Sequence, residues 1–277
     1  MLNTSLKIKR SVNHIILIVV SILSIYPLFW IITTSLKTKK QYLESKINLP
    51  WPIDFSSIKT AITAGNFARW LANSFFITFC AVILGTIIAI LAAYALTKLR
   101  VAGKEFILNI SIALMAIPVI VLIIPIYILF SKLNLINTYL GIIIIYIGII
   151  TPFSVYLLVS FFKNIPWEII ESSILDGCNS LDILLKILLP ISGPPIASLI
   201  VVNALWIWNE LIIALIFLPM NETHTIMVGL TVHQSRYSIN VPVVVSGLLI
   251  SALPMLILYL ALQRFFIRGL VEGSTKG

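Results

Sequence analysis

Residues Pro166–Pro190 read PWEIIESSILDGCNSLDILLKILLP, a stretch too polar to cross a membrane and too regular to be a flexible loop. Pro166 suits a first helical position, and Glu168 and Glu171 follow where the positive end of a helix dipole favours anions. Trp167, Ile170, Ile174 and Cys178 recur at spacings of three or four, which predicts one apolar stripe opposite Glu168, Glu171 and Ser172. Gly177 supplies the left-handed conformation that stops a helix, and Ser180 can cap the next one. Two short helices joined at a glycine bend are therefore expected, with Ile187, Leu189 and Pro190 leading into an apolar run.

On both sides of this segment the chain turns apolar. Of its 277 residues 60% are hydrophobic and only 10% charged, whereas a soluble domain carries about 25% charged residues. A bilayer core about 30 Å thick needs roughly 20 apolar residues of helix. Six runs meet that length: 14–34, 72–97, 106–130, 138–162, 188–212 and 243–267. The expected fold is all-α integral membrane, a single transmembrane domain over 1–277 with six transmembrane helices. Segment 163–187 is inserted between helices four and five, a longer polar loop covers 35–71, and a mixed loop covers 219–242. The first run follows Lys7, Lys9 and Arg10 as a signal peptide would, but it is long and lacks a small-x-small cleavage site before Lys37, so an uncleaved span is expected.

The formal charge is +9, yet Lys and Arg lie between the apolar runs instead of forming one basic face, which argues against nucleic acid as a partner. Cys80 and Cys178 are too few and too differently placed for a disulfide framework, so two free thiols are expected. His14, His224 and His233 show no metal-ligand spacing, and no metal site is expected. Pro27, Pro118, Pro125, Pro152 and Pro254 fall inside spans and read as ordinary kinks. Gly85, Ala89 and Ala93 form a small-residue stripe that calls for a closely packed helix, whose source the sequence leaves open. An even number of spans puts both termini on one side. With those termini inside, Lys7, Lys9, Arg10, Lys98, Arg100, Lys104, Lys163, Lys186, Arg264, Arg268 and Lys276 are inner, a modest bias that Lys37, Lys39 and Lys40 oppose.

Glu171-Ser172-Ser173, Gly177 and Ile187-x-Leu189-Pro190 resemble the pattern Glu-Ala-Ala, three residues, Gly, nine residues, Ile-x-Leu-Pro of binding-protein-dependent ABC importer permeases. Every spacing is kept, and serines replace both alanines. Asn73-Ser74, Ala92-Ala93-Tyr94-Ala95-Leu96, Asp176-Gly177, Trp208-Asn209-Glu210 and the tail from Gln263 to Gly277 extend the likeness over nearly the whole chain. Together they resemble the second permease of maltose-type carbohydrate importers. The resemblance implies that Glu171, Ser172, Ser173, Asp176, Gly177, Ile187, Leu189 and Pro190 form a cytoplasmic coupling segment that enters a cleft of the ATPase subunit. It thereby places a multi-pass protein in the cell membrane, surrounded by lipid, with both termini cytoplasmic.

The implied partners are a second homologous permease, two ATPase subunits and an extracytoplasmic sugar-binding protein. By the same resemblance, loop 219–242 approaches the binding protein and the tail after Gly269 the ATPase dimer. The chain has no Gly-x-x-x-x-Gly-Lys-Ser/Thr loop, so ATP and Mg are assigned to the ATPase partner and no enzymatic activity or cofactor is expected here.

Glu210 is the one carboxylate in its apolar run. It lies roughly 30 Å along a helix from Pro190, at the outer boundary, either hydrogen-bonded with Asn209 or acting in a pathway or gate. Asn203, Trp206, Trp208, Asn209 and Glu210 are the candidate pathway residues, because aromatic faces and amides suit a sugar ring and its hydroxyls. An interfacial tryptophan belt accounts for Trp206 and Trp208 equally well. The competing readings are an importer permease for a non-sugar solute, which would share the coupling motif, and a channel or membrane enzyme. The latter would need a pore repeat or an intramembrane catalytic cluster, and the sequence shows neither.

Overall fold

The computed structural model describes residues 2–63, 65–236 and 240–274, with side chains described for 13–63, 65–232 and 240–263. No strand occurs among the described residues. In chain order, α1 spans Leu2–Ser35, the short α2 (Lys39–Glu44) and α3 (Ser56–Thr63) follow, and α4 runs over Phe67–Lys98. Next come α5 (Lys104–Met115), α6 (Val119–Lys132), α7 (Tyr139–Lys163) and α8 (Trp167–Leu175). The remainder is α9 (Ser180–Ile191), α10 (Gly193–Asn209), α11 (Ile212–Phe217), α12 (Ile226–Arg236) and α13 (Val241–Ser274). Helices α1, α4, α7 and α13 are long and apolar enough to cross a membrane, and the bent pairs α5–α6 and α9–α10 raise the number to six if each pair is one span.

Two of the expected straight spans are therefore broken. The run 106–130 turns by 102° between Met115 and Val119. Pro118 stands at that break as the residue before α6, and a proline disfavours helical geometry in the residue preceding it, so Pro118 ends a helix instead of kinking one. Pro27, Pro125, Pro152 and Pro254 do lie inside helices. The run 188–212 bends by 76° between α9 and α10. Pro194 and Pro195 follow directly, in the first turn of α10, where a backbone N–H is not needed and the preceding helix cannot continue through them. Loop 35–71 holds α2, α3 and the start of α4.

The chain divides into two compact units, Met1–Ala68 with Leu230–Leu253 and Arg69–Gly229 with Pro254–Gly277. The core of the second has two parts. Ile77, Ala81 and Val82 of α4 pack with Ile142, Tyr146 and Ile150 of α7 and with Ala204, Ile213 and Phe217. Ala89 and Ala93 of α4 join Leu158, Val159 and Phe162 of α7, Ile170 of α8 and Leu188 of α9. A Cβ on Gly85 would come within 2.7 Å of Ile150 Cδ1. The small-residue stripe thus serves this chain's own α7, because only small side chains let the two backbones approach so closely.

In the first unit the connection after α1 folds around a lysine. Lys37 is only 1% exposed, and its Nζ donates to the carbonyls of Ser45 and Lys46, each at 3.2 Å. Ser57 Oγ donates to the Lys37 carbonyl at 2.7 Å. Burial holds the Lys37 ammonium below the ordinary lysine pKa. One of the three lysines that oppose the charge bias is therefore an internal strut, not a surface charge.

Candidate coupling segment and pathway residues

Pro166 occupies the cap position (φ −54°, ψ 139°) one residue before α8, and Glu168 lies in the first turn. The helix ends in a Schellman motif: Cys178 N donates to Ser173 O and Gly177 N to Ile174 O, both at 3.0 Å. The motif needs a left-handed residue, and Gly177 supplies it at φ +84°. Ser172 and Ser173, which stand where the resembled family has alanines, turn their hydroxyls onto the Ile169 carbonyl at 3.1 and 2.6 Å. Neither serine strands a polar group.

The next helix is capped by Asn179, not Ser180. Asn179 Oδ1 accepts from Leu181 N and Asp182 N, and Asp182 Oδ2 accepts from Asn179 N, which is a capping box. Ser180 instead meets α4: the Tyr94 hydroxyl donates to its carbonyl at 2.9 Å and lies 2.9 Å from its Oγ. At the other end of α8, Lys98 Nζ donates to the Ile165 carbonyl at 2.9 Å and sits 5.5 Å from the centroid of the Trp167 ring. The last turn of α4 thus grips the segment just before α8 and just after it.

The single apolar stripe is split. Ile170 and Ser173 are buried, while Trp167 and Ile174 are exposed with Glu168 and Glu171, and the adjoining Leu175 is 88% exposed. Apolar spacing marks a face that some body covers, and this chain covers only the line through Ile170 and Ser173. Beyond Asp182 the backbone widens into a π-turn over Ile183–Leu188, with Leu189 N bonded to Leu184 O. Pro190 explains the widening: it has no N–H, and its ring would strike the Lys186 carbonyl in a regular helix. Ile187 and Leu189 are half-buried there and Pro190 is exposed.

The pathway candidates lie on α10 and at its end. Asn203 is buried and donates to Ser154 Oγ at 3.0 Å. Trp206 is exposed and meets the Tyr146 ring edge-on at 6.1 Å. Trp208 is buried and lines an apolar cavity of about 220 Å³ with Thr78, Val82, Ile200, Met255 and Leu258. Asn209 is exposed and donates to Leu205 O at 2.7 Å, so the expected Asn209–Glu210 contact gives way to others. Glu210 accepts from Tyr146 Oη at 2.8 Å, Ile213 N at 2.8 Å and Ala214 N at 3.0 Å. All three partners are donors, and the two backbone N–H groups open α11. Glu210 and Trp206 therefore come together around Tyr146, while Trp208, two residues along the helix, points elsewhere.

Sequence reasoning missed a polar lattice that holds residues 220–226. Trp70 Nε1 donates to Asn221 O at 3.0 Å, and Asn73 Nδ2 to Glu222 O and His224 O, both at 2.9 Å. Tyr139 Oη donates to Asn73 Oδ1 at 2.8 Å, Ile226 N to Ser74 Oγ at 2.8 Å, and Thr223 Oγ1 to Asn137 Oδ1 at 2.6 Å. The Asn73-Ser74 pair was visible in the sequence, but its partners in residues 220–226 lie about 150 residues away and Tyr139 lies 66 away. The tail side chains after Gln263, and that of His233, lie outside the described residues.

Residues 85–271 match the family described as binding-protein-dependent transport system inner membrane component, and the chain belongs to that family. It is 30% identical over 255 residues to the diacetylchitobiose uptake system permease protein DasC of Streptomyces coelicolor, covering 91% of this chain and 92% of that one. To the melibiose/raffinose/stachyose import permease protein MelC of Bacillus subtilis it is 29% identical over 252 residues, covering 91% of each. A solved chain from a bacterial ABC transporter involved in the import of the acidic polysaccharide alginate superposes with a TM-score of 0.80 at 25% identity, covering 94% of this chain and 97% of that one. The protein is thus a multi-pass permease subunit of an ABC importer, a non-enzymatic membrane component in a family that works with ATPase and binding-protein partners.

Proposed function

We propose that this chain is one of two homologous permeases of an ATP-driven sugar importer, and that α8 couples it to one of two ATPase subunits. The observation that carries this reading is the clamped segment around α8, held by Lys98 before it and Tyr94 after it and ended by Gly177. A helix so fixed transmits force, and its exposed face of Glu171, Ile174 and Leu175 is free to meet another subunit. ATP and Mg bind to the ATPase, the termini and α8 are cytoplasmic, and an extracytoplasmic binding protein delivers the solute. The carbohydrate transport named for the related permeases favours a sugar. Trp206 and Asn209, exposed on α10, are the best placed of the candidates to contact it, with Glu210 bracing the backbone behind them.

The test is to tag the chain, extract it in mild detergent and identify what co-purifies by mass spectrometry. An ATPase and a second permease are expected, followed by ATP-dependent uptake of a labelled oligosaccharide in vesicles supplied with the matching binding protein. A chain that purifies alone, or an assembly that moves amino acids and no sugar, refutes the reading.

A further inference from the structure

The connection between α1 and α3 is built inside out. Its interior holds polar groups: the buried Lys37 ammonium on two carbonyls, and Ser57 Oγ donating to the Lys37 carbonyl at 2.7 Å. Its exterior carries Leu43, Ile47, Leu49, Trp51, Ile53 and Phe55, every one more than half exposed and Trp51 86% exposed. The last five stand at every second position of a non-helical stretch that bends at 46–48 and 51–52, and together they make up an exposed apolar ridge. Asp54 N donates to Leu36 O at 3.1 Å, which fixes the far end of the ridge beside the end of α1. Such an inversion is costly in water, where single exposed apolar residues are ordinary but six between residues 43 and 55, beside a buried lysine, are not.

We infer that this ridge docks on the surface of the bilayer that α1 crosses, with its apolar side chains in the headgroup and upper acyl region. Charge decides between lipid and protein as the occupant. Lys39, Lys40 and Lys46 are exposed on the same connection, against Glu44, which pairs with Lys40 at 3.9 Å, and the half-buried Asp54. Protein interfaces are depleted in lysine at their centres. Lysines and a tryptophan beside apolar side chains are instead what the headgroup boundary of a bilayer takes up, the lysine stems lying along the apolar region with their ammonium groups in water. The membrane is also already adjacent: the ridge starts a few residues after α1 ends and is tied back to it, so docking requires no separate encounter. The inference needs only a bilayer-embedded chain, and stands or falls independently of what the importer carries.

The experiment uses the full chain with its co-purifying subunits, Cys80 and Cys178 replaced by serine, in vesicles containing phosphatidylglycerol. Nitroxide labels are placed at Leu49→Cys, Trp51→Cys and, as a reference, the exposed Asn48→Cys. Collisions with dissolved oxygen, which concentrates in lipid, are compared with collisions with a water-soluble nickel chelate. The labels at 49 and 51 are expected to give an oxygen-to-nickel ratio severalfold above that at 48. Labels reached by nickel as readily as the reference put the ridge in water and overturn the inference. Labels shielded from both reagents put it under another protein and overturn it equally. If Trp51→Cys fails to assemble, Ile47→Cys makes the same comparison.

Discussion

Replacing Gly177 separates backbone strain from every other effect of a side chain. A Cβ built on Gly177 meets no atom within 4 Å, so substitution causes no collision. What remains is φ +84°, a conformation that costs a residue with a Cβ about 1–2 kcal/mol. That is roughly a 5- to 30-fold loss in the population of the capped turn. Asparagine tolerates this region better than alanine, and a β-branched valine is worst. Uptake per unit of membrane-inserted protein should therefore fall in the order Gly, Asn, Ala, Val, with expression unchanged, because Gly177 is exposed and buries nothing. The assay is ATP-dependent uptake in vesicles, normalised to the protein recovered in them. Full uptake by Gly177→Val refutes the idea that the turn transmits force, and equal losses for Asn and Ala refute strain as its cause.

Glu210→Gln should lower thermal stability in detergent by about 1–3 kcal/mol, since one donor at Tyr146, Ile213 or Ala214 then faces an amide NH₂. Tyr146→Phe should cost less, about 1 kcal/mol, and a glutamine variant as stable as the parent would show that the carboxylate is not required. Gly229→Ala drives a methyl into the Trp70 ring and should destabilise by about 1–3 kcal/mol, read as a lower melting temperature; an unchanged one means the ring moves freely. Lys37→Met leaves the Ser45 and Lys46 carbonyls without their donor, at about 1–3 kcal/mol, and should speed proteolytic cutting between residues 36 and 57. Cutting at the parental rate would show that the loop closes without the lysine.

The sequence alone determined the membrane class, the apolar runs, the helix beginning near Pro166 and its stop at Gly177. These depend on local rules: apolar length against bilayer thickness, and the left-handed preference of glycine. It also carried the family, because the spacing from Glu171 to Pro190 is a one-dimensional pattern. Only the tertiary structure decided where the runs bend, since one proline, Pro118, breaks a helix while Pro152 sits inside one, and neighbouring packing chooses between those outcomes. It decided that Glu210 faces Tyr146 and the start of α11 instead of Asn209, and that Tyr94 and Lys98 hold the segment around α8. It also turned Lys37 from an apparent topology signal into a buried strut. Each of these depends on partners brought together by folding, and hydrogen bonds between residues far apart in the chain leave no periodicity to read.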